Sequence, residues 1–263
     1  MLNFLRNEKD IFLLALSYYT RISVPKDLPY SEERLQHSTR YVAIIGWIVG
    51  VFSFVFYVIF EFLVHPSFGV FFSLLAGVWI TGAFHEDGLT DTIDAFGGGW
   101  TKEDILRIMK DSRIGSFGTI GIFFLLMGKY LLLEKLASSK NTLFIFLVMI
   151  LYHSLARIAP LYLANFSSYV RDEGKAKPIA KHIHWENILM ATLLGFIPFF
   201  VFSWIFSFWY LAIVIPLVLL VIYLKSFFEK WIQGITGDCL GATEQIAEFL
   251  ILLSITVIWK FTS

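Results

Sequence analysis

Residues 187–224 read NILMATLLGFIPFFVFSWIFSFWYLAIVIPLVLLVIYL, with no ionisable side chain but tyrosine. About 20 apolar residues of helix cross the roughly 30 Å hydrocarbon core of a bilayer. The run is too long for one crossing and long enough for two. A break near 203–209 divides it into a fifth and a sixth span, counted along the whole chain.

Working outward, similar runs occupy 41–64, 68–84, 114–133, 143–164 and about 240–259. Seven spans result. The chain of 263 residues is 57% hydrophobic, with 28 phenylalanines and a mean hydropathy of +0.70. A soluble domain of this size has no interior for so many large apolar side chains. The expected fold is all-α, a polytopic membrane helical bundle forming one domain over 1–263. Residues 1–40 form an N-terminal arm. Its apolar run, 11–19, is too short to span and is expected at the interface or as a re-entrant helix. No small-residue cleavage pattern follows it, so it is not read as a removed signal. The lone cysteine, Cys239, excludes an intramolecular disulfide.

Crossing by crossing, the polar segments 1–40, 85–113, 165–186 and 225–238 fall on one side. They carry sixteen of the 21 Lys and Arg, against three on the other side. The positive-inside rule puts them in the cytoplasm. Four polar segments can then converge on one cytoplasm-facing site, as suits an enzyme with soluble substrates. The formal net charge is zero, so overall charge gives no indication of nucleic acid.

The chemistry concentrates in 84–121, FHEDGLTDTIDAFGGGWTKEDILRIMKDSRIGSFGTIG. Asp87, Asp91 and Asp94 recur at i, i+4 and i+7, which places them on one face if the segment is helical. Three carboxylates on one face repel as bare anions and suit a divalent cation. Hard oxygen donors favour magnesium or manganese over zinc. Glu86 joins them as a candidate ligand, and His85 is a candidate base or an interfacial cap. The cluster Lys110-Asp111-Ser112-Arg113, followed by Gly115-Ser116-Phe117-Gly118, suits a diphosphate or its magnesium salt; lipid headgroups are the competing ligand. Downstream, Asp238, Glu244 and Glu248 lie in and before the last span. Arg157 and His153, one turn apart in the fourth, are natural partners for these acids. Arg157, Asp238 and Glu244 are candidate substrate contacts. Segment 165–186, containing Tyr169-Val170-Arg171, reads by itself as an ordinary solvated loop.

These residues resemble a known family. The blocks 85–92 with Asp94, and 108–115, look like the two signature blocks of cobalamin synthase, also called cobalamin 5′-phosphate synthase or adenosylcobinamide-GDP ribazoletransferase. The likeness extends to Thr20-Arg21 with Val24-Pro25, to Arg171-Asp172-Glu173-Gly174, and to 236–242. Thr90 stands where the family often has Ala, and Asp94-Ala95-Phe96 replaces a commoner acid-glycine pair. The resemblance implies a magnesium-dependent, membrane-bound transferase of cobalamin biosynthesis in the cell inner membrane. The 3′-hydroxyl of α-ribazole, or of its 5′-phosphate, would attack adenosylcobinamide-GDP and release GMP. The implied partners are the corrinoid substrate, α-ribazole and the bilayer; a homo-oligomer and an assembly with other corrinoid-pathway enzymes are compatible with the sequence. Rival readings are another diphosphate transferase, of CDP-alcohol phosphotransferase or aromatic prenyltransferase type, and a transporter. The first expects a D-G-x-x-A-R signature whose arginine is missing here, the second two Asp-rich blocks, the third a repeat that is not evident.

Overall fold

The structure, a computed structural model, describes residues 2–139, 141–171, 176–181 and 183–262. The helices are α1 (Leu2–Tyr19), α2 (Glu32–Ser38), α3 (Val42–Leu63), α4 (Pro66–Thr81), α5 (Phe84–Gly98), α6 (Lys102–Ile108), α7 (Ser116–Ala137), α8 (Thr142–Ala156), α9 (Ala159–Asn165), α10 (Lys177–Lys181), α11 (Trp185–Phe206), α12 (Val214–Ile232) and α13 (Gly237–Thr262). Six helical stretches are long and apolar enough to cross a membrane, and the bent pair α4–α5 makes a seventh if taken together. The protein is a polytopic helical bundle.

The 38-residue run divides where expected. Ser207 takes extended backbone after α11, and its hydroxyl accepts the Trp209 N–H at 3.3 Å. A short 3₁₀ turn, Phe208–Ile213, then leads into α12. The surface is inverted relative to a soluble protein. Phe62, Trp204 and Trp209 are 86%, 77% and 70% exposed, whereas Lys129, Arg157, Glu244 and Glu248 are at most 4% exposed. Apolar rings outside and charges inside are what a lipid solvent selects. Small residues bring α3 onto α8: a Cβ on Gly50 would lie 2.7 Å from Ile150 Cα.

The N-terminal run lies in α1, an 18-residue helix whose Ile11, Leu14, Ala15 and Tyr19 are buried and which is not among the helices long and apolar enough to span. Two features differ from the sequence expectation. Residues 85–113 are not a loop. They form α5 and α6, because the glycines at 97–99 end one helix and Thr101 caps the next by accepting the Asp104 N–H at 3.2 Å. The fourth span is kinked into α8 and α9 around Arg157 and Ile158, just before Pro160, whose ring removes an intrahelical donor.

Candidate active site

The site begins at the turn between α4 and α5, where the axis bends by 90°. Gly82 and Ala83 both take left-handed backbone, with φ of 70° and 58°. Arg21 supports this turn. Its N–H donates to Ile80 O at 2.7 Å, and its side chain packs where a Cβ on Gly82 would sit. The adjacent Thr20 hydroxyl is bonded back to Leu16 O at 2.6 Å. After the bend, α5 crosses α13 at two glycines. A Cβ on Gly88 would meet Asp238 backbone at 3.0–3.1 Å, and one on Gly241 would meet His85 O at 3.1 Å. Close packing is therefore the use made of these small residues, and it brings His85 and Asp87 opposite Asp238 and Glu244.

Between these helices lies a cavity of about 330 Å³. Tyr18 and Tyr19 reach it from the N-terminal arm, Phe84, His85 and Asp87 from α5, Tyr169 and Arg171 from the segment after α9, and Asp238 and Glu244 from α13. The four polar segments expected to converge do converge. Arg171 is delivered by a parallel bridge between Tyr169 and Ile235. Val170 N–H donates to Ile235 O at 3.0 Å, and Ile235 N–H to Ser168 O at 2.8 Å. From there Arg171 Nη1 reaches Asp238 Oδ2 at 2.8 Å, while its Nη2 has no partner among the described residues. Asp91 sits within electrostatic reach of Asp87, Asp238, Arg171 and Asp94.

Beneath the cavity runs a buried polar network. Glu248 accepts from Lys129 Nζ and bonds His153 Nδ1, each at 2.6 Å, with Arg157 Nη1 at 3.6 Å. Arg157 also donates to His153 O and lies 3.2 Å from Glu244 Oε1. Gln245 joins the acids: it accepts from Lys129 at 2.6 Å and donates to Glu244 Oε2 at 2.9 Å and Glu86 Oε1 at 3.1 Å. His85 Nδ1 lies 3.6 Å from Glu244 Oε2. His153 and Arg157 thus do partner Glu244 and Glu248, as their spacing suggested.

The candidate residues separate into three groups. His85, Asp87, Arg157, Asp238 and Glu244 share the cavity, and Asp91 stands one turn from Asp87. Asp94 and Glu86 have other partners. Both carboxylate oxygens of Asp94 accept backbone N–H groups at the start of α7, from Gly115 at 2.7 Å and Gly118 at 2.8 Å. The glycine-opened backbone expected to grip phosphate is filled by this carboxylate, since a Cβ on Gly115 or Gly118 would overlap it. Glu86 turns into the network through Gln245, because adjacent helical positions diverge by about 100°. Lys110, Asp111 and Arg113 do not line the cavity. Arg113 is closed on Asp111 at 2.6 Å and holds that carboxyl down at about 2 through these hydrogen bonds. Asp172, Glu173 and Gly174 lie outside the described residues. Sequence reasoning passed over Lys129 and Gln245, and met Arg171 only through the family resemblance. A lysine inside a span was itself a signal; Arg171 carried none locally.

Among the described residues, no three His, Cys, Asp or Glu side chains form a ready-made metal cage. Asp87 and Asp91 nevertheless make no hydrogen bond or ion pair among those residues, and they face the same side of α5. This donor pair fits a cation held by one or two carboxylates, with water and substrate oxygens filling the other positions, which is how magnesium is usually bound.

Comparison with known proteins gives a consistent result. Residues 11–256 match the family described as cobalamin-5-phosphate synthase. The chain is 40% identical over 252 residues to the adenosylcobinamide-GDP ribazoletransferase of Ralstonia pickettii (strain 12J), covering 95% of this chain and 96% of that one. It is 39% identical over 269 residues to the protein of that name from Leptospira interrogans serogroup Icterohaemorrhagiae serovar copenhageni, with coverage of 98% and 99%. The Leptospira biflexa serovar Patoc counterpart is 36% identical over 269 residues, with 96% and 97% covered. No solved structure matches.

Proposed function

Because the chain belongs to the cobalamin-5-phosphate synthase family, and so is a transferase of cobalamin biosynthesis, we propose that it joins α-ribazole, or its 5′-phosphate, to adenosylcobinamide-GDP. The ribazole 3′-hydroxyl attacks the cobinamide-side phosphorus. The bond from that phosphorus to the bridging oxygen breaks, GMP leaves with the oxygen, and the hydroxyl proton passes to a base. The observation that carries this reading is the convergence of four polar segments on one cavity holding a histidine, two arginines and the Asp87 carboxylate, which has no partner among the described residues.

His85 is the candidate proton acceptor. It opens on the cavity beside Glu244, which can orient the ring and balance the imidazolium that forms. Arg157, held from below by Glu248 and the His153 carbonyl, presents fixed positive charge to the reacting centre. Asp87 and Asp91 are the residues that would hold magnesium, which when bound supplies charge neutralisation to the diphosphate. The excess of Lys and Arg on the converging segments supports a cytoplasm-facing site in the cell inner membrane.

The test is turnover in membranes or liposomes, with adenosylcobinamide-GDP and α-ribazole, following GMP and the corrinoid product. Product should form with magnesium and vanish with EDTA. Asp87→Asn should slow it about a hundredfold or more, equivalent to roughly 3 kcal/mol of transition-state stabilisation. Undiminished turnover in Asp87→Asn would remove that residue from the mechanism, and no product from intact substrates would remove the reaction.

A further inference from the structure

We propose that Arg171 is the diphosphate-binding cation of the cavity, held by Asp238 until substrate phosphate takes the carboxylate's place. The substrate's identity rests on the reaction proposed above; the anion site itself does not.

The argument starts from charge. An incoming diphosphate must enter past Asp87 and Asp238 and close to Asp91. Bare carboxylates repel it, so a cation with free donors is needed on the same wall. Among the described lining residues only Arg157 and Arg171 carry permanent positive charge. Arg157 is committed, tied to the His153 carbonyl, Glu244 and Glu248, and is 4% exposed. Lys110 and Arg113 are outside the cavity, and Arg113 is neutralised by Asp111.

Arg171 has what the others lack. Among the described residues its single ionic partner is Asp238 at 2.8 Å and its Nη2 has no hydrogen-bond acceptor, while its side chain is 22% exposed. A guanidinium binds carboxylate and phosphate with the same two-pronged geometry. Replacing Asp238 with a phosphate therefore exchanges like for like, and leaves the Asp238 carboxylate for the hydroxyl or cation that accompanies the substrate. The backbone is already placed for this. The hydrogen bonds joining 168–170 to Ile235 fix the start of the side chain, and Gly234, at φ 150°, allows that approach, since a Cβ there would collide with Ser168 O. Only the side chain has to move.

The experiment measures inorganic pyrophosphate binding to the full-length protein in nanodiscs by calorimetry, with magnesium present throughout. Arg171→Ala should weaken binding at least tenfold, with Arg171→Lys intermediate. Asp238→Asn should tighten it by freeing the guanidinium, and this gain should vanish in Arg171→Ala/Asp238→Asn. Wild-type binding that is undetectable, Arg171→Ala binding equal to wild type, or a gain that persists in the double variant would each overturn the proposal. In turnover, Arg171→Ala should raise KM for adenosylcobinamide-GDP at least tenfold and leave KM for α-ribazole unchanged. Arg171-dependent pyrophosphate binding without turnover would keep the anion site and discard the reaction. Turnover with an unchanged KM in Arg171→Ala would keep the reaction and discard Arg171.

Discussion

Asp94→Asn separates two uses of one carboxylate. In the structure both oxygens of Asp94 accept backbone N–H groups, from Gly115 and Gly118, at 2.7 and 2.8 Å. These are the N-cap and third-residue donors of α7, which have no intrahelical acceptor. Hydrogen bonds to a charged group contribute about 1.5–3 kcal/mol each, and a negative charge at a helix start adds about 0.3–1 kcal/mol. Asparagine keeps one acceptor oxygen and turns an NH₂ toward the other donor. One bond and the charge are lost, so the variant should be destabilised by about 2–4 kcal/mol. Unfolding of detergent-solubilised protein measures this directly, and amide exchange should accelerate at 115–118 ahead of the rest of α7. Asp87→Asn, which breaks no such bond, should unfold like wild type. If Asp94→Asn is as stable as wild type but needs far more magnesium for activity, Asp94 is a cation ligand and the capping argument is wrong.

Three further outcomes follow from the geometry. Lys129→Met and Glu248→Met each remove one half of a buried ion pair and should cost about 3–5 kcal/mol; the double variant should be more stable than the sum of the two losses, and additive losses in chemical unfolding would deny the pairing. Ala83→Gly relieves a left-handed alanine at the α4–α5 bend and should stabilise by about 1 kcal/mol, whereas a loss of stability in thermal unfolding would mean that the Ala83 methyl contributes packing that outweighs its strain. Cysteines introduced at Lys110 and Ser139 should react with impermeant maleimide from opposite faces of oriented vesicles, since native Cys239 is buried; labelling from one face would break the seven-span topology.

The apolar runs made the bundle legible because lipid imposes a length rule on each segment separately. The 38-residue run showed its own division, and counting crossings showed which segments share a side. What stayed hidden depended on pairing between distant segments. Lys129 and Glu248 are 119 residues apart in the chain, and neither residue's neighbours indicate the other. The glycines at 115 and 118 were read as allowing close backbone approach to a diphosphate, but substrate phosphate and Asp94 present the same oxygen chemistry to the same N–H groups. Only the fold decides between them. Arg171 was hidden for a related reason: its segment looks solvated until the bridge to Ile235 brings it to Asp238.

The same logic explains why the charged network lies directly under the cavity. An arginine facing a reacting diphosphate gains most when water is excluded, but an unpaired guanidinium in a membrane interior is costly. Glu244 and Glu248 offset that cost from α13, while Lys129 and His153 keep Glu248 engaged from α7 and α8. Arg157 is thereby fixed at the cavity floor and does not turn toward lipid. The lipid-facing surface can then be wholly apolar, and the buried polar groups are concentrated where α5, α8 and α13 meet. Segments that cross a membrane have few places to put a charge. In this protein those places lie directly under the cavity between α5 and α13.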